Sequence, residues 1–320
     1  MILIELIFGT WFKNNFSYHL SSERNIYRMY KFNFSNYQGE SLYKRDSNAF
    51  RYNQESIQVD KIDIVFTGGS TTNQKFLNYQ DTIVSNLDNF FKEKQIVNAG
   101  IDGLSIRGHI NSFDLWFNKI NQLNPKFYIF YLGINDQNLL NYKSKSVDEF
   151  KESDFKGNLR EYLESNSFLY KNFRLLKTTL YLKYNIQKGV NIVNKKGVVY
   201  GERSKKKFTN YEDFNSNNEV NKLFFDKYTL LLNTLTNKVK EQNAIPIYIT
   251  QISGYGINSE LFSTAEAIMN HCKKQNLDCI NLAKEIDLNY NDFYDELHLN
   301  PGGSIKVFSY LSKKLKKIIN

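Results

Sequence analysis

A chain of 320 residues with 41% hydrophobic and 15% aromatic content can bury one large α/β core or two small ones, which excludes wholesale disorder. Three prolines and sixteen glycines exclude a collagen-like or linker-dominated chain. The net charge of +9, from 42 Lys+Arg against 33 Asp+Glu, favours anionic surroundings, but no nucleic-acid module accompanies it, so no nucleic-acid partner is expected.

The first twelve residues are apolar, yet too few to span a bilayer and interrupted by Glu5. They lack the basic n-region and small-residue cleavage site of a secretory signal, and read as a helix docked on the domain or as a peripheral membrane contact. Localisation stays open between cytoplasm and cell envelope. Residues 13–58 are rich in Asn, Ser, Tyr and Arg without sustained periodicity. They read as irregular, their aromatics, such as Tyr27, Tyr30, Phe32 and Phe34, covering element edges, and with 1–12 they form an N-terminal extension (1–58), packed on the main domain (59–320) or membrane-proximal.

From residue 63 the pattern changes. Asp63-Ile64-Val65-Phe66 begins a nearly unbroken apolar run suited to a strand buried on both faces, ending at Gly68-Gly69-Ser70. A helix is expected over 81–94, a second strand over 95–98 ending in Asn98-Ala99-Gly100 and Gly103, a helix over 105–123 closed by Pro125, and a third strand over 127–132 ending in Gly133-Ile134-Asn135-Asp136. The alternation then pauses over 137–217. Leu159, Leu163, Leu169, Phe173, Leu176 and Leu180 suggest two helices there, followed by a solvated lysine-rich stretch (Lys195, Lys196, Arg203, Lys205, Lys206, Lys207). Long insertions at a strand's carboxyl end commonly form lids or specificity elements.

Order resumes with a helix over 223–240, a fourth strand over 245–250, a helix over 260–274, a short fifth strand over 279–282, and a final helix after Pro301-Gly302-Gly303 with Ile305, Phe308, Leu311, Leu315 and Ile318 inward. The two cysteines, Cys272 and Cys279, flank a helix-to-strand turn and read as buried free thiols, a disulfide being compatible. The expected architecture is a three-layer α/β/α sandwich around a mostly parallel five-stranded sheet of flavodoxin-like order, with a helical insertion after the third strand.

Strand ends in such a sheet converge on one rim, where open α/β sheets place their sites. Here they bring a serine, glycines, an amide, a carboxylate and an imidazole, a set sufficient for acyl transfer. The ordered set Gly69-Ser70, Asn98-x-Gly100-x-x-Gly103, Gly133-x-Asn135-Asp136 and Asp295-x-x-His298 resembles the four blocks of the SGNH (GDSL-type) hydrolase family. The resemblance runs from about residue 63 to the C-terminus. It implies Ser70 as nucleophile, His298 as general base, Asp295 as its orienting carboxylate, and an oxyanion hole from the N–H groups of Ser70 and Gly103 and the Asn135 amide. The first block reads Gly-Gly-Ser-Thr instead of Gly-Asp-Ser-Leu, so Gly69 stands where the family carries an acid.

Asp292 and Glu296 are alternatives to Asp295, and His109 is the rival of His298; His19 and His271 complete the histidines. Gly69, Thr71, Asp136, His109 and Gln251 are candidate pocket or supporting residues. The implied activity is hydrolysis of an ester, an O-acyl or acetyl group on a small molecule or glycan, through an acyl-serine with neither metal nor cofactor. Alternatives are an O-acyltransferase using the same triad and an inactive carbohydrate-binding or scaffold relative. A nucleotide site is disfavoured because no P-loop lysine and no G-x-G-x-x-G is present.

Overall fold

In the computed structural model of the chain, the described residues are 2–9, 11, 20, 23–24, 26–34, 36–52, 57–137, 139–141, 147–150, 163, 166–170, 172–173, 176, 180, 190–193, 208–214 and 221–319. In chain order, the elements are α1 (Ile2–Phe8), β1 (Ile26–Phe34), β2 (Tyr37–Arg45), β3 (Ile62–Gly68), α2 (Ser70–Asn73), α3 (Ile83–Phe90), β4 (Gln95–Asn98), α4 (Ile106–Leu115), β5 (Phe127–Leu132), β6 (Val190–Val193), α5 (Lys222–Glu241), β7 (Ile245–Thr250), α6 (Ser259–Gln275), β8 (Cys279–Ile280), α7 (Leu282–Glu285) and α8 (Pro301–Ile319).

The main sheet follows from side-chain alternation along apolar strands. Val65, Tyr128, Phe130 and Tyr248 point to one face and pack with Phe113, Trp116, Tyr228, Leu232 and Leu235 of the α4–α5 layer. Ile64, Phe66, Ile129, Tyr131, Ile247 and Ile249 point to the other, against Ile83, Val84 and Leu87 of α3 and Val307, Leu311 and Leu315 of α8. All five strands are parallel, in the order β4-β3-β5-β7-β8, which is the flavodoxin-like order expected. The long helices start where a polar side chain satisfies free amides: Thr82, Ser105, Asn221 and Asn258 cap α3, α4, α5 and α6, and Asn300 Oδ1 accepts from Gly303 N of α8.

Several expectations are corrected. The 13–58 stretch is not irregular throughout: β1 and β2 pair antiparallel, and β6, from within the insertion, adds in parallel to β1. The signal is the alternation of Tyr30, Phe32 and Phe34 inward with Lys31 and Asn33 outward. The segment is joined to the main sheet at Arg51, whose backbone bridges Asn98 at the end of edge strand β4. The fifth strand is shorter than expected, because Asn281 ends it and α7 follows. The last helix begins at Pro301 itself, since proline fits a first helical turn that needs no N–H there. Leu311 and Leu315 face inward as expected, with Phe308 and Ile318 partly buried against the same core, whereas Ile305 is exposed and Gly303 and Val307 are buried instead. Cys272 and Cys279 are joined as a disulfide, not free: Asn276 turns left-handed (φ 52°) after α6 and returns the chain so that their Cα atoms lie 6.2 Å apart.

Within the insertion, Leu163, Leu169, Phe173, Leu176 and Leu180 are helical, whereas Leu159 and the lysine-rich stretch lie outside the described residues, as does His19. Helix α1 docks there: Glu5 accepts from Ser167 Oγ and from the amides of Phe168 and Leu169. No described helix is long and apolar enough to cross a membrane.

Two stability measurements follow. Closing a loop of about eight residues stabilises by about 2 kcal/mol, so reduction or Cys279→Ser should lower urea-unfolding stability by that amount. His109, buried on α4 with Nδ1 3.2 Å from Thr67 Oγ1, is pulled by desolvation to about 3, and His271 by burial to about 4. Because the folded values lie below the unfolded one near 6.5, the stability they contribute is complete above pH 6.5 and is lost as pH falls toward 3. Asp46, pushed up by burial to about 6, works with the opposite sign over a narrower span. His109→Gln should therefore lose about 2 kcal/mol less than the wild type between pH 7 and pH 4.5, read by urea unfolding at both.

Candidate active site

Strand β3 is flanked by β4 and β5, so its carboxyl end lies inside the sheet, where the next segment must turn out at close range. Gly68 and Gly69 make that turn, with Gly69 capping α2 and Ser70 as its first residue. A Cβ on Gly68 would overlap the Thr72 side chain and stand 3.0 Å from the Tyr131 carbonyl; one on Gly69 would overlap the Asn135 amide nitrogen. The space beside Gly69 is thus filled by the Asn135 side chain.

Ser70 Oγ lies 2.7 Å from Nε2 of His298, 228 positions away in sequence. Nδ1 of the same ring lies 2.8 Å from both carboxylate oxygens of Asp295. The carboxylate accepts, so Nδ1 carries the proton and the Nε2 lone pair accepts from the serine hydroxyl. The loop bearing the pair is a closed turn: Phe293 bridges Leu299, Tyr294 N donates to His298 O at 2.9 Å, and Asp295 Oδ1 accepts the amides of Leu297 and His298. Burial pushes the Asp295 carboxyl up, but the His298 bond and charge and those two amides outweigh it and hold it below the ordinary carboxylate range. Its alternatives stand elsewhere. Asp292 pairs with Lys306, and Glu296 accepts from Tyr255 Oη.

The other two strand ends press against the serine turn. Asn98 donates to Thr72 O and accepts from Gly100 N, while Ile101 N donates to Gly68 O. Gly103 has φ 82°, a left-handed conformation that suits glycine. Asn135 sits in the short 3-10 turn Ile134–Asp136, its amide over Gly69.

The remaining candidates support these parts. Buried Gln251 accepts Ile134 N at 2.7 Å and donates to Thr71 Oγ1 at 2.7 Å and to Tyr131 O at 3.1 Å, joining three strand ends at once. Asp136 accepts Ile106 N at the start of α4 and the Tyr228 hydroxyl. His109 lies under the sheet against Phe130, and Nε2 has no partner among the described residues; it does not join the Ser70 group.

Several neighbours of the site have no local sequence signal. Arg45 and Arg51 are fully buried and reach in from the extension. Arg51 donates to the carbonyls of Asn73, Gln74 and Leu77, at and beyond the end of α2, and Arg45 to Gly100 O, Ala49 O and the Tyr43 hydroxyl. Burial lowers the Arg51 guanidinium to about 10, which leaves it charged at neutral pH. Asn73 carries the contact onward to Asp102, which pairs with Lys75. Tyr294 stacks on the His298 ring with centroids 5.5 Å apart and planes at 9°. Its only sequence hint is adjacency to Asp295. Among the described residues no cluster of His, Cys, Asp or Glu is arranged to hold a metal.

No family model matches the chain, and no curated protein does. Among solved structures, it is similar to a GDSL-like lipase from Bacteroides thetaiotaomicron, at 12% identity over 83% of this chain and 93% of that one, with a TM-score of 0.43. It is also similar to a member of the lipolytic G-D-S-L family from Veillonella parvula, at 12% identity over 81% and 98%, TM-score 0.41. A variant of an acetyl-xylooligosaccharide esterase from Geobacillus is similar at 12% identity over 79% and 93%, TM-score 0.43. Two of these three, the lipase and the lipolytic protein, carry the G-D-S-L designation in their names.

Proposed function

We propose that the chain is a serine esterase that removes an O-acyl group, such as acetyl, from a small molecule or glycan. The observation that supports this reading is the continuous hydrogen-bonded series from Ser70 through His298 to Asp295, at 2.7 and 2.8 Å. A serine hydroxyl is a weak nucleophile until a base takes its proton. His298 Nε2 is placed to take it as Oγ attacks the acyl carbon. The Asp295 carboxylate holds the ring by Nδ1 and stabilises the imidazolium that forms.

The negative charge that develops on the carbonyl oxygen would be met by the Asn135 amide and the N–H groups of Ser70 and Gly103. Collapse of the tetrahedral intermediate expels the alcohol, which takes the proton from His298. Water then attacks the acyl-serine with His298 again as base, releasing the acid and restoring the serine. The His298 and Asp295 side chains are 21% and 16% exposed, so the base is open to an incoming water.

A fluorophosphonate probe with mass spectrometry should place the adduct on Ser70, and Ser70→Ala should lose it along with at least about 10³-fold of the turnover of p-nitrophenyl acetate. A folded wild-type protein with no Ser70 adduct would rule the reading out. Gly69→Ala forces the Asn135 amide away from its place above the serine turn, and should lower kcat by about 10²-fold with KM little changed.

A further inference from the structure

The hairpin of β1 and β2 would be a separate appendage if it touched only the edge of the sheet. Its buried aromatics instead form a cluster with Phe76, Leu77 and Tyr294, reaching the loop that bears Asp295 and His298. Phe34, the last residue of β1, stacks on Tyr294 with centroids 4.5 Å apart and planes at 28°. Tyr37, the first of β2, stacks on the same ring at 5.7 Å and 28°. Tyr294 lies in turn nearly parallel to the His298 imidazole. Between the two strands, Asn36 Nδ2 donates to Phe293 O at 2.6 Å, pinning the turn of the hairpin to the residue before Tyr294.

The imidazole needs such a support for a geometric reason. Its hydrogen bonds to Asp295 and Ser70 both lie in the ring plane, through Nδ1 and Nε2. They oppose out-of-plane motion only weakly, and a tilt of the ring about its Nδ1 anchor carries Nε2 and its lone pair off the serine oxygen. A ring stacked flat on one face opposes that motion, and an aromatic pair holds offset-stacked geometry beyond its area burial. Tyr294 can do this only while it is itself held in place, and Phe34 and Tyr37 stack on it while Phe76 meets it edge-on.

We propose that the N-terminal hairpin is a positioning element of the catalytic site, holding the plane of His298 through the stack Phe34/Tyr37–Tyr294–His298. Its effect on rate rests on the esterase reading above; its effect on the ring does not. Tyr294, Phe34 and Tyr37 touch neither Ser70 nor the acyl group in this scheme, and act through the imidazole.

The full-length chain carrying Tyr294→Leu, Tyr294→Phe, Phe34→Leu or Asn36→Ala tests this, with circular dichroism as the check on folding. One readout is the downfield Nδ1 proton of His298 in NMR, assigned by its loss in His298→Gln. The other is kcat and KM for p-nitrophenyl acetate. Tyr294→Leu should broaden or erase the proton signal and lower kcat about 10-fold with KM within about twofold, and Phe34→Leu should do the same about threefold. Tyr294→Phe, which keeps the stacked ring, should restore the signal and most of the rate.

Folded Tyr294→Leu and Phe34→Leu proteins with an unchanged proton signal and unchanged kcat would overturn the proposal. If either core variant fails to fold, Asn36→Ala, at an exposed turn residue, decides it: an unchanged signal and rate count against, a broadened signal and lowered kcat count for. A wild type that keeps the Nδ1 proton signal but turns over no ester would defeat the esterase reading alone, since the signal responds to the stack with or without turnover.

Discussion

Three chain segments meet at the carboxyl end of β3 with no room for a Cβ between them. Gly68 approaches the Tyr131 carbonyl, Gly69 lies under the Asn135 amide, and Gly100 abuts the backbone of Thr72 and Asn73. Because β3 is an interior strand, the chain can leave the sheet there only by threading between the ends of β4 and β5. That crowding puts Ser70 at the sheet rim, puts the Asn135 amide beside it, and brings the Asn98–Gly103 loop within reach. A side chain at position 69 would displace the Asn135 amide that lies over it.

Crowded backbone carries many polar groups, and burying them is tolerable only when each finds a partner. The molecule meets this with amides and guanidinium groups drawn from distant elements. Gln251 uses both ends of its amide to tie β7 to β5 and to α2. Arg51 spreads its fork over three carbonyls at and after the end of α2, a geometry lysine could not supply. The extension therefore stabilises the serine turn from one side, while its aromatic residues reach the histidine loop from the other.

The alternation of strand and helix was legible because each parallel strand is an apolar run and each long helix is announced by a capping Thr, Ser or Asn. The hairpin was not read. Its inward residues mix aromatics with Ser41 and Arg45, and the nine residues of β2 include exposed Gly39 and Glu40, so no clean apolar alternation runs along it. On α8 only Ile305 was misplaced inward, and the disulfide was missed because a turn's return cannot be judged from spacing alone. His109 and His298 could not be separated by composition. What divides them is burial: one lies under the sheet beside Phe130, the other in a part-exposed loop facing a serine.

By itself the sequence determined the parallel α/β core and the four polar strand ends, since both are written in short contiguous patterns that local physics reads. It also placed Asp295 and His298 three residues apart, close enough for one turn to join them. Only the tertiary structure decided which hydroxyl faces that turn, which amide fills the space above Gly69, and which rings stand behind His298. These are contacts between residues separated by tens to hundreds of positions, and no local period or spacing encodes them. They exist because the sheet brings its strand ends to one rim and the hairpin closes over its side.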